Sequence, residues 1–368
     1  MIDERLLKNE ERAIYALRAL YRSYGYQAYK MSKFEEYDLY LRNKDFLISD
    51  RIITFNDTDG KLMALKPDVT LSIVKNGDDQ PGYKQKVCYN ENVYRVSGST
   101  RQFKEIMQTG LECIGSLDGY DVYEVVSLAA QSLALVSEDF ILDVSHLGIL
   151  TALLDGIGEE GGLRREIAHY IAEKNRHDLE RLCRENGVSP ERTDEICTFI
   201  GIYGEMDGVL ERLRPLCRTA TARQALGELE QLRALLRGSA YENRIHFDFS
   251  IVNDMDYYNG IVFKGFLGGI CEGVLSGGQY DKLIRKMGRT GGAVGFALYL
   301  DLLEDLETAG RDYDVDVLLL YDGGTDPACV ASEVRRMAAS GKSVSAQRAV
   351  PAKLRYRELK DLRKEGRG

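Results

Sequence analysis

Three short segments concentrate the residues best suited to chemistry. The first is Leu65-Lys66-Pro67-Asp68-Val69-Thr70. The second pairs Tyr94-Arg95 with Gln108-Thr109-Gly110-Leu111-Glu112, and the third joins Asp256-Tyr257-Tyr258-Asn259-Gly260 to Ser276-Gly277-Gly278-Gln279-Tyr280-Asp281. Asp68 and Glu112 offer carboxylates that attract a cation, while Gln108, Tyr258 and Tyr280 both donate and accept hydrogen bonds. Arg95 and Arg101 are candidates to meet an anion, with a relic arginine and a solvated loop as the competing accounts.

The elements that must position these residues follow from periodicity and turn chemistry. Leu6, Leu7, Ile14, Leu17, Leu20 and Tyr21 predict an amphipathic opening helix that Gly25 ends. Two β-rich runs between Ile52 and Leu65 flank an Asp59-Gly60 turn and predict a hairpin, after which Lys66-Pro67-Asp68 leads into a short helix. Strands are expected at 86–95 and 107–114, a helix over 122–136 and a strand over 140–144. Leu, Arg and Glu at helical spacing from about Leu150 to Leu236 predict a helical insertion. Strands return at 245–249 and 261–266, then a helix near Ala297 to Thr308, a strand at 315–321 and a helix over 328–339. Lys353 to Arg367 is expected as a solvated helix face. Helices interleaved with antiparallel hairpins place the chain in the α+β class.

Composition narrows the function classes. The 368 residues are 44% hydrophobic and 29% charged, so the chain can bury a core and is neither disordered nor fibrous. A net charge of −9 argues against a chain-wide cationic surface for nucleic acid. Seven scattered cysteines form no C-x-x-C pair and predict reduced thiols, without a zinc site or disulfide framework. With no apolar leader and no run of ~18 apolar residues, a soluble cytoplasmic protein is expected.

Other motifs fail on context. Gly156-x-Gly158-x-x-Gly161 follows a helical pattern and carries Glu159 and Glu160 where a pyrophosphate would lie. Gly341-Lys342-Ser343 lacks the leading glycine of a phosphate loop, with Arg336 in its place, and predicts a helix-to-strand turn. His169 and His177 have no nearby cysteine to complete a metal set, and His146 and His246 fit packed strand positions. No cofactor or metal is called for.

Together the three segments resemble the catalytic core of histidyl-tRNA synthetase, a class II synthetase, over roughly residues 1–310. That family reads approximately Leu-Arg-Pro-Glu-Gly-Thr, Phe-Arg-x-Glu with Gln-x-Gly-x-Glu, and Leu-Asp-Tyr-Tyr-x-Gly with Gly-Gly-Arg-Tyr-Asp. The resemblance implies an antiparallel sheet flanked by helices, with the helical insertion at about 150–240 and a short α/β segment over 311–368. It also implies a histidine site, in which Asp68, Thr70 and Gln108 face the amino end and Glu112, Tyr257, Tyr258 and Tyr280 line the imidazole side. Histidine suits these residue types, since its ammonium wants carboxylates and its ring wants a donor or acceptor from Tyr, Gln or Glu.

Departures from the family pattern remove the adenylation chemistry. Activating an amino acid builds charge on the α-phosphate, and losing one fixed donor there reduces the rate roughly 10²- to 10³-fold. Arg95 keeps the motif 2 arginine, but Ser97 replaces the acidic residue that holds adenine, Asn253 the catalytic arginine and Leu302 the motif 3 arginine. Ser32 replaces the motif 1 proline of the dimer contact, and only 56 residues follow Asp312, short of an anticodon-binding domain. This combination resembles the non-catalytic synthetase paralogue that serves as regulatory subunit of ATP phosphoribosyltransferase, which performs the first step of histidine biosynthesis. The resemblance implies partnership with a short catalytic subunit, histidine feedback, a homodimer within a hetero-octamer, and neither tRNA nor membrane contact. A degenerate but active amino-acid ligase and a pure interaction module are the alternatives.

Overall fold

The computed structural model describes residues 9–47, 51–77, 80, 82–96, 101–157, 161–252, 257–303 and 313–364. The chain divides into two compact units, Met1–Glu304 and Asp305–Gly368. Asn253, Asp256 and Ser97 lie outside the described residues, as do residues 1–8, which include Leu6 and Leu7 of the expected opening helix.

The first unit opens with α1 (Asn9–Ser23), which buries Ala13, Leu17 and Tyr21 at a spacing of four and stops before Gly25, whose φ of +85° only glycine adopts freely. Strand β1 (Gln27–Ala28) follows. β2 (Phe34–Glu36), β3 (Thr54–Asn56) and β4 (Leu62–Leu65) form a small antiparallel sheet in the order β2-β4-β3, with α2 (Tyr37–Arg42) between the first two. Gly60, at φ +79°, turns the β3–β4 hairpin. Helix α3 (Thr70–Lys75) leads to the long antiparallel pair β5 (Lys84–Val96) and β6 (Phe103–Gly115). Next come α4 (Gly119–Val136), started by a reciprocal Asp118–Asp121 capping box, and β7 (Phe140–His146).

The insertion contains α5 (Leu147–Leu154), α6 (Gly161–Ala172), α7 (Arg176–Glu185), α8 (Pro190–Ile200), β8 (Tyr203–Glu205), α9 (Met206–Leu213) and α10 (Ala220–Leu236). It is not purely helical, because β8 extends the main sheet beside β9 (Ile245–Asp248). His146 ends β7 as a packed structural residue. Its Nδ1 accepts from the Gly148 amide at 3.0 Å, and its Nε2 lies 2.9 Å from Glu228 of α10. β10 (Ile261–Leu267), β11 (Leu275–Gln279), α11 (Asp281–Lys286) and β12 (Gly292–Tyr299) complete the unit.

Among the described residues the main sheet has nine strands, ordered β1-β5-β6-β12-β11-β10-β7-β9-β8. From β5 to β7 every neighbouring pair is antiparallel. Helices α1 and α4 are joined through a 3.0 Å Tyr21–Ser132 hydroxyl contact, and the Tyr21 ring lies edge-on to Phe296 of β12 at 6.0 Å. The helix expected near Ala297 to Thr308 is instead strand β12 as far as Tyr299, while residues 304–312 lie outside the described set. This strand is buried on both faces, which hides the period of two that would reveal it.

The second unit holds β13 (Val315–Leu320), α12 (Pro327–Ala339), β14 (Val344–Gln347) and β15 (Tyr356–Asp361), a parallel sheet in the order β14-β13-β15. Its core is Val317, Leu319, Met337 and Leu362. Within the stretch Lys353 to Arg367, expected as a helix face, the described residues instead form strand β15 and a short 3-10 turn over Leu362–Lys364, and residues 365–367 lie outside the described set. The charges of β15 read as a helical face, but Glu358 and Lys360 pair outward with Lys342 at 2.8 Å and Glu333 at 2.7 Å. Gly341, at φ +82°, makes the predicted helix-to-strand turn. No described helix is long and apolar enough to cross a membrane.

Candidate functional site

Register across the central strands builds a cavity floor. Glu112 of β6 faces Gly295 of β12, which faces Gly278 of β11; one row along, Gly110, Ala297 and Ser276 face one another in the same way. Alternate strand residues share a face, so these rows lay small residues side by side and leave a trough between bulkier walls. The trough is a cavity of about 200 Å³. A Cβ on Gly295 would come within 1.8 Å of Glu112 Oε2, and one on Gly110 within 2.1 Å of the Phe296 carbonyl oxygen. Glycine is therefore required at both places by close approach rather than by backbone angle.

All seven expected ligand residues line this cavity: Asp68, Thr70, Gln108, Glu112, Tyr257, Tyr258 and Tyr280. Glu112, 2% exposed, accepts from Thr70 Oγ1 at 2.8 Å and from the Tyr280 hydroxyl at 2.5 Å. Thr70 thus serves the Glu112 carboxyl, although the family roles place it with Asp68. The Tyr257 ring lies 4.6 Å from that of Tyr258 and 5.7 Å from that of Tyr280, forming an aromatic wall. Asp68 accepts from the Leu71 amide at 2.9 Å and so also begins α3. Gln108 is 3% exposed and its Nε2 has no hydrogen-bond partner, leaving a buried donor at the cavity wall.

The remaining motif residues hold the lining in place. Lys66 is fully buried against Glu91 at 2.5 Å, and its backbone bonds to Lys33 and Tyr94 fix the turn that carries Asp68. Gln279 accepts from the Ile261 amide at 2.7 Å through its side chain and from Asn259 at 2.9 Å through its backbone. Asp281 accepts from Asn259 Nδ2 at 3.2 Å and from the Ala293 amide at 3.0 Å. These bonds hold the Tyr257-Tyr258 segment beside Tyr280. Arg95 lines the cavity and donates Nε to the Pro67 carbonyl at 2.9 Å; Arg101 is exposed, at φ +56°, and does not line it. Ser276 of the third segment also lines it, as do Tyr89, Lys264, Gly295 and Tyr299, which were not foreseen as ligands because only strand register brings them there.

Burial sets the protonation chemistry. It pushes the Glu112 carboxyl up to about 8, against the opposing hydrogen bonds of Tyr280 and Thr70, with the Asp68 charge adding to the rise. Burial also raises Asp68, opposed by the Leu71 amide and the Arg95 guanidinium. A carboxyl raised in the folded state keeps its proton while the unfolded chain has lost it, so its contribution to stability falls as pH rises from about 4.5 to about 8. Chemical denaturation at pH 5.5 and pH 8 is expected to show a smaller fall in Glu112→Gln than in the parent chain. Equal falls in the two proteins would show that Glu112 titrates normally.

The antiparallel sheet with helices α1 and α4, the insertion after β7 and a polar cavity between β6 and β10 define a class II aminoacyl-tRNA synthetase-like core. A profile of the family described as Histidyl-tRNA synthetase matches residues 2–303, and the chain belongs to that family. An ATP phosphoribosyltransferase regulatory subunit from Alkaliphilus metalliredigens is 28% identical over 332 residues, covering 86% of this chain and 82% of that protein. Its counterpart from Clostridium kluyveri is 28% identical and covers 83% and 80%. Among solved structures, an ATP phosphoribosyltransferase regulatory subunit/histidyl-tRNA synthetase from Bacillus halodurans superposes with a TM-score of 0.76 at 22% identity, covering 98% and 96%. The ATP phosphoribosyl transferase (HisG:HisZ) complex from Thermotoga maritima gives 0.62 at 19% identity, covering 79% and 97%.

Proposed function

We propose that the chain is a regulatory subunit of ATP phosphoribosyltransferase that binds free histidine in the cavity and makes a short catalytic subunit active and sensitive to histidine. The observation that carries the ligand is the unpartnered Gln108 amide beside two buried carboxyls and a tyrosine wall, which suits a small cationic amino acid with a polar ring. The relatives' names support the partner. Leu302 stands where adenylation needs a guanidinium, which supports a non-catalytic role. In this reading the subunit forms a homodimer within a cytoplasmic hetero-octamer, and histidine acts by binding two assembly states with different affinity.

Mixing the chain with the short catalytic subunit from the same source is expected to raise the ATP phosphoribosyltransferase rate, and adding histidine to lower it by about 5- to 150-fold, as typical coupling energies allow. No change in rate on mixing would sink the proposal. Arg95 at the cavity wall favours one second reading, a residual amino-acid ligase. Histidine-dependent exchange of pyrophosphate into ATP, expected to be absent, would establish it.

A further inference from the structure

Lys264 and Arg95 are the cavity cations that the seven-residue set leaves out, and of the two only Arg95 sits beside a carboxyl, that of Asp68. On β10 Lys264 is in register with Ser276 of β11, which faces Ala297 of β12, which faces Gly110 of β6. Lys264 therefore ends the row of small residues on the cavity face, and Glu112 and Gln108 flank the other end. Three strand spacings, roughly 14 Å between backbones, separate the two walls, and the side chains on both stand on the same face of the sheet. Between them lies an almost flat floor.

Lys264 lines the cavity and, among the described residues, makes no ion pair with its neighbour in the sheet. Asp143 of β7 is its partner in register on the other side, but the charges that act on Asp143 are Asp248 and Lys174. The Lys264 ammonium lies 5.7 Å from the Phe266 ring centroid. Its stem packs so closely on Gly273 that a Cβ there would come within 2.2 Å of Cε. Among the described residues no carboxylate forms an ion pair with it. The cavity thus has the Glu112 and Asp68 carboxyls on one side, with Arg95 beside Asp68, and on the β10 side an ammonium with no carboxylate partner, which suits the far end of a zwitterion.

We infer that Lys264 clamps the α-carboxylate of the bound amino acid, opposite the residues that take its ammonium and ring. The inference rests on the histidine reading above. It makes the site selective for the free amino acid with an ionised carboxylate, against the alcohol, amide or ester of the same side chain.

Calorimetric titration of the full chain with histidine and with histidinol, which keeps the ammonium and imidazole but replaces the carboxylate with an alcohol, tests it. The parent chain is expected to bind histidine about 10- to 100-fold more tightly than histidinol, the range of a charge-assisted hydrogen bond. Lys264→Met, which keeps the length of the stem, is expected to lose that preference by weakening histidine alone, and Lys264→Arg to retain most of it. Equal affinities of the parent chain for both ligands, or equal weakening of both in folded Lys264→Met, would overturn the clamp while leaving histidine binding intact. Binding of neither ligand by the parent chain would overturn the histidine reading and the clamp with it.

Discussion

If the chain binds histidine as proposed, replacing Glu112 with alanine is expected to weaken that binding by at least about 30-fold and to remove histidine feedback from the mixed enzyme while sparing subunit association. Glu112 sits between the hydroxyls of Thr70 and Tyr280 and lines the cavity. Breaking a buried, hydrogen-bonded charge pair costs about 3 to 5 kcal/mol. The lower end applies here, because the free carboxyl holds its proton up to about pH 8 and must release it to pair with a cation. Alanine also strands two buried hydroxyls, each costing about 1 to 3 kcal/mol, so some of the loss will appear as lower stability. Glu112→Gln separates the two effects, since the amide oxygen still accepts a hydrogen bond but carries no charge. It should fold like the parent chain and still bind histidine weakly. Full affinity and full feedback in both variants would remove Glu112 from the ligand site.

Adding a single methyl group at Gly295 is expected to be as damaging as removing the carboxylate. A Cβ there lies 1.8 Å from Glu112 Oε2 and 2.5 Å from the Leu111 carbonyl oxygen, and the backbone of β6 cannot retreat without leaving its register with β12. Overpacking of this kind costs about 1 to 3 kcal/mol. Glu112 is driven off Thr70 and Tyr280, so Gly295→Ala should lower the thermal midpoint and abolish measurable histidine binding together. Gly227, in α10 with nothing within 4 Å of an added Cβ, provides the control, and Gly227→Ala should leave binding unchanged. Parent-like affinity in Gly295→Ala would mean that the floor does not form as the strand register places it.

The two substitutions draw on different kinds of information. Glu112 was legible as a ligand candidate from the Gln108 to Glu112 segment, because its residue types and spacing, set beside two other segments, carry a chemical meaning that needs no coordinates. Gly295 was not, since nothing local to it names a neighbour. The segment from Gly292 to Tyr299, buried on both faces, even obscured its own secondary structure. The same limit applied at Tyr356 to Asp361, where alternating charges conceal a strand that only its pairing with β13 reveals. Lys264 was passed over for a related reason: as one lysine on an otherwise apolar strand it looks like an outward-facing residue, until Ser276 and Ala297 place it over the cavity.

By itself, then, the sequence determined the α+β class, most of the elements and seven candidate polar residues that line the cavity, because periodicity, turn residues and motif chemistry act over short stretches of chain. Tertiary structure alone decided that Tyr280 and Glu112, 168 residues apart, share a hydrogen bond. It also decided that small residues from β6, β12 and β11 coincide in a floor, and that Lys264 closes its far end. Those outcomes depend on strand order and register, and a shift of one residue in any strand would turn each side chain to the opposite face.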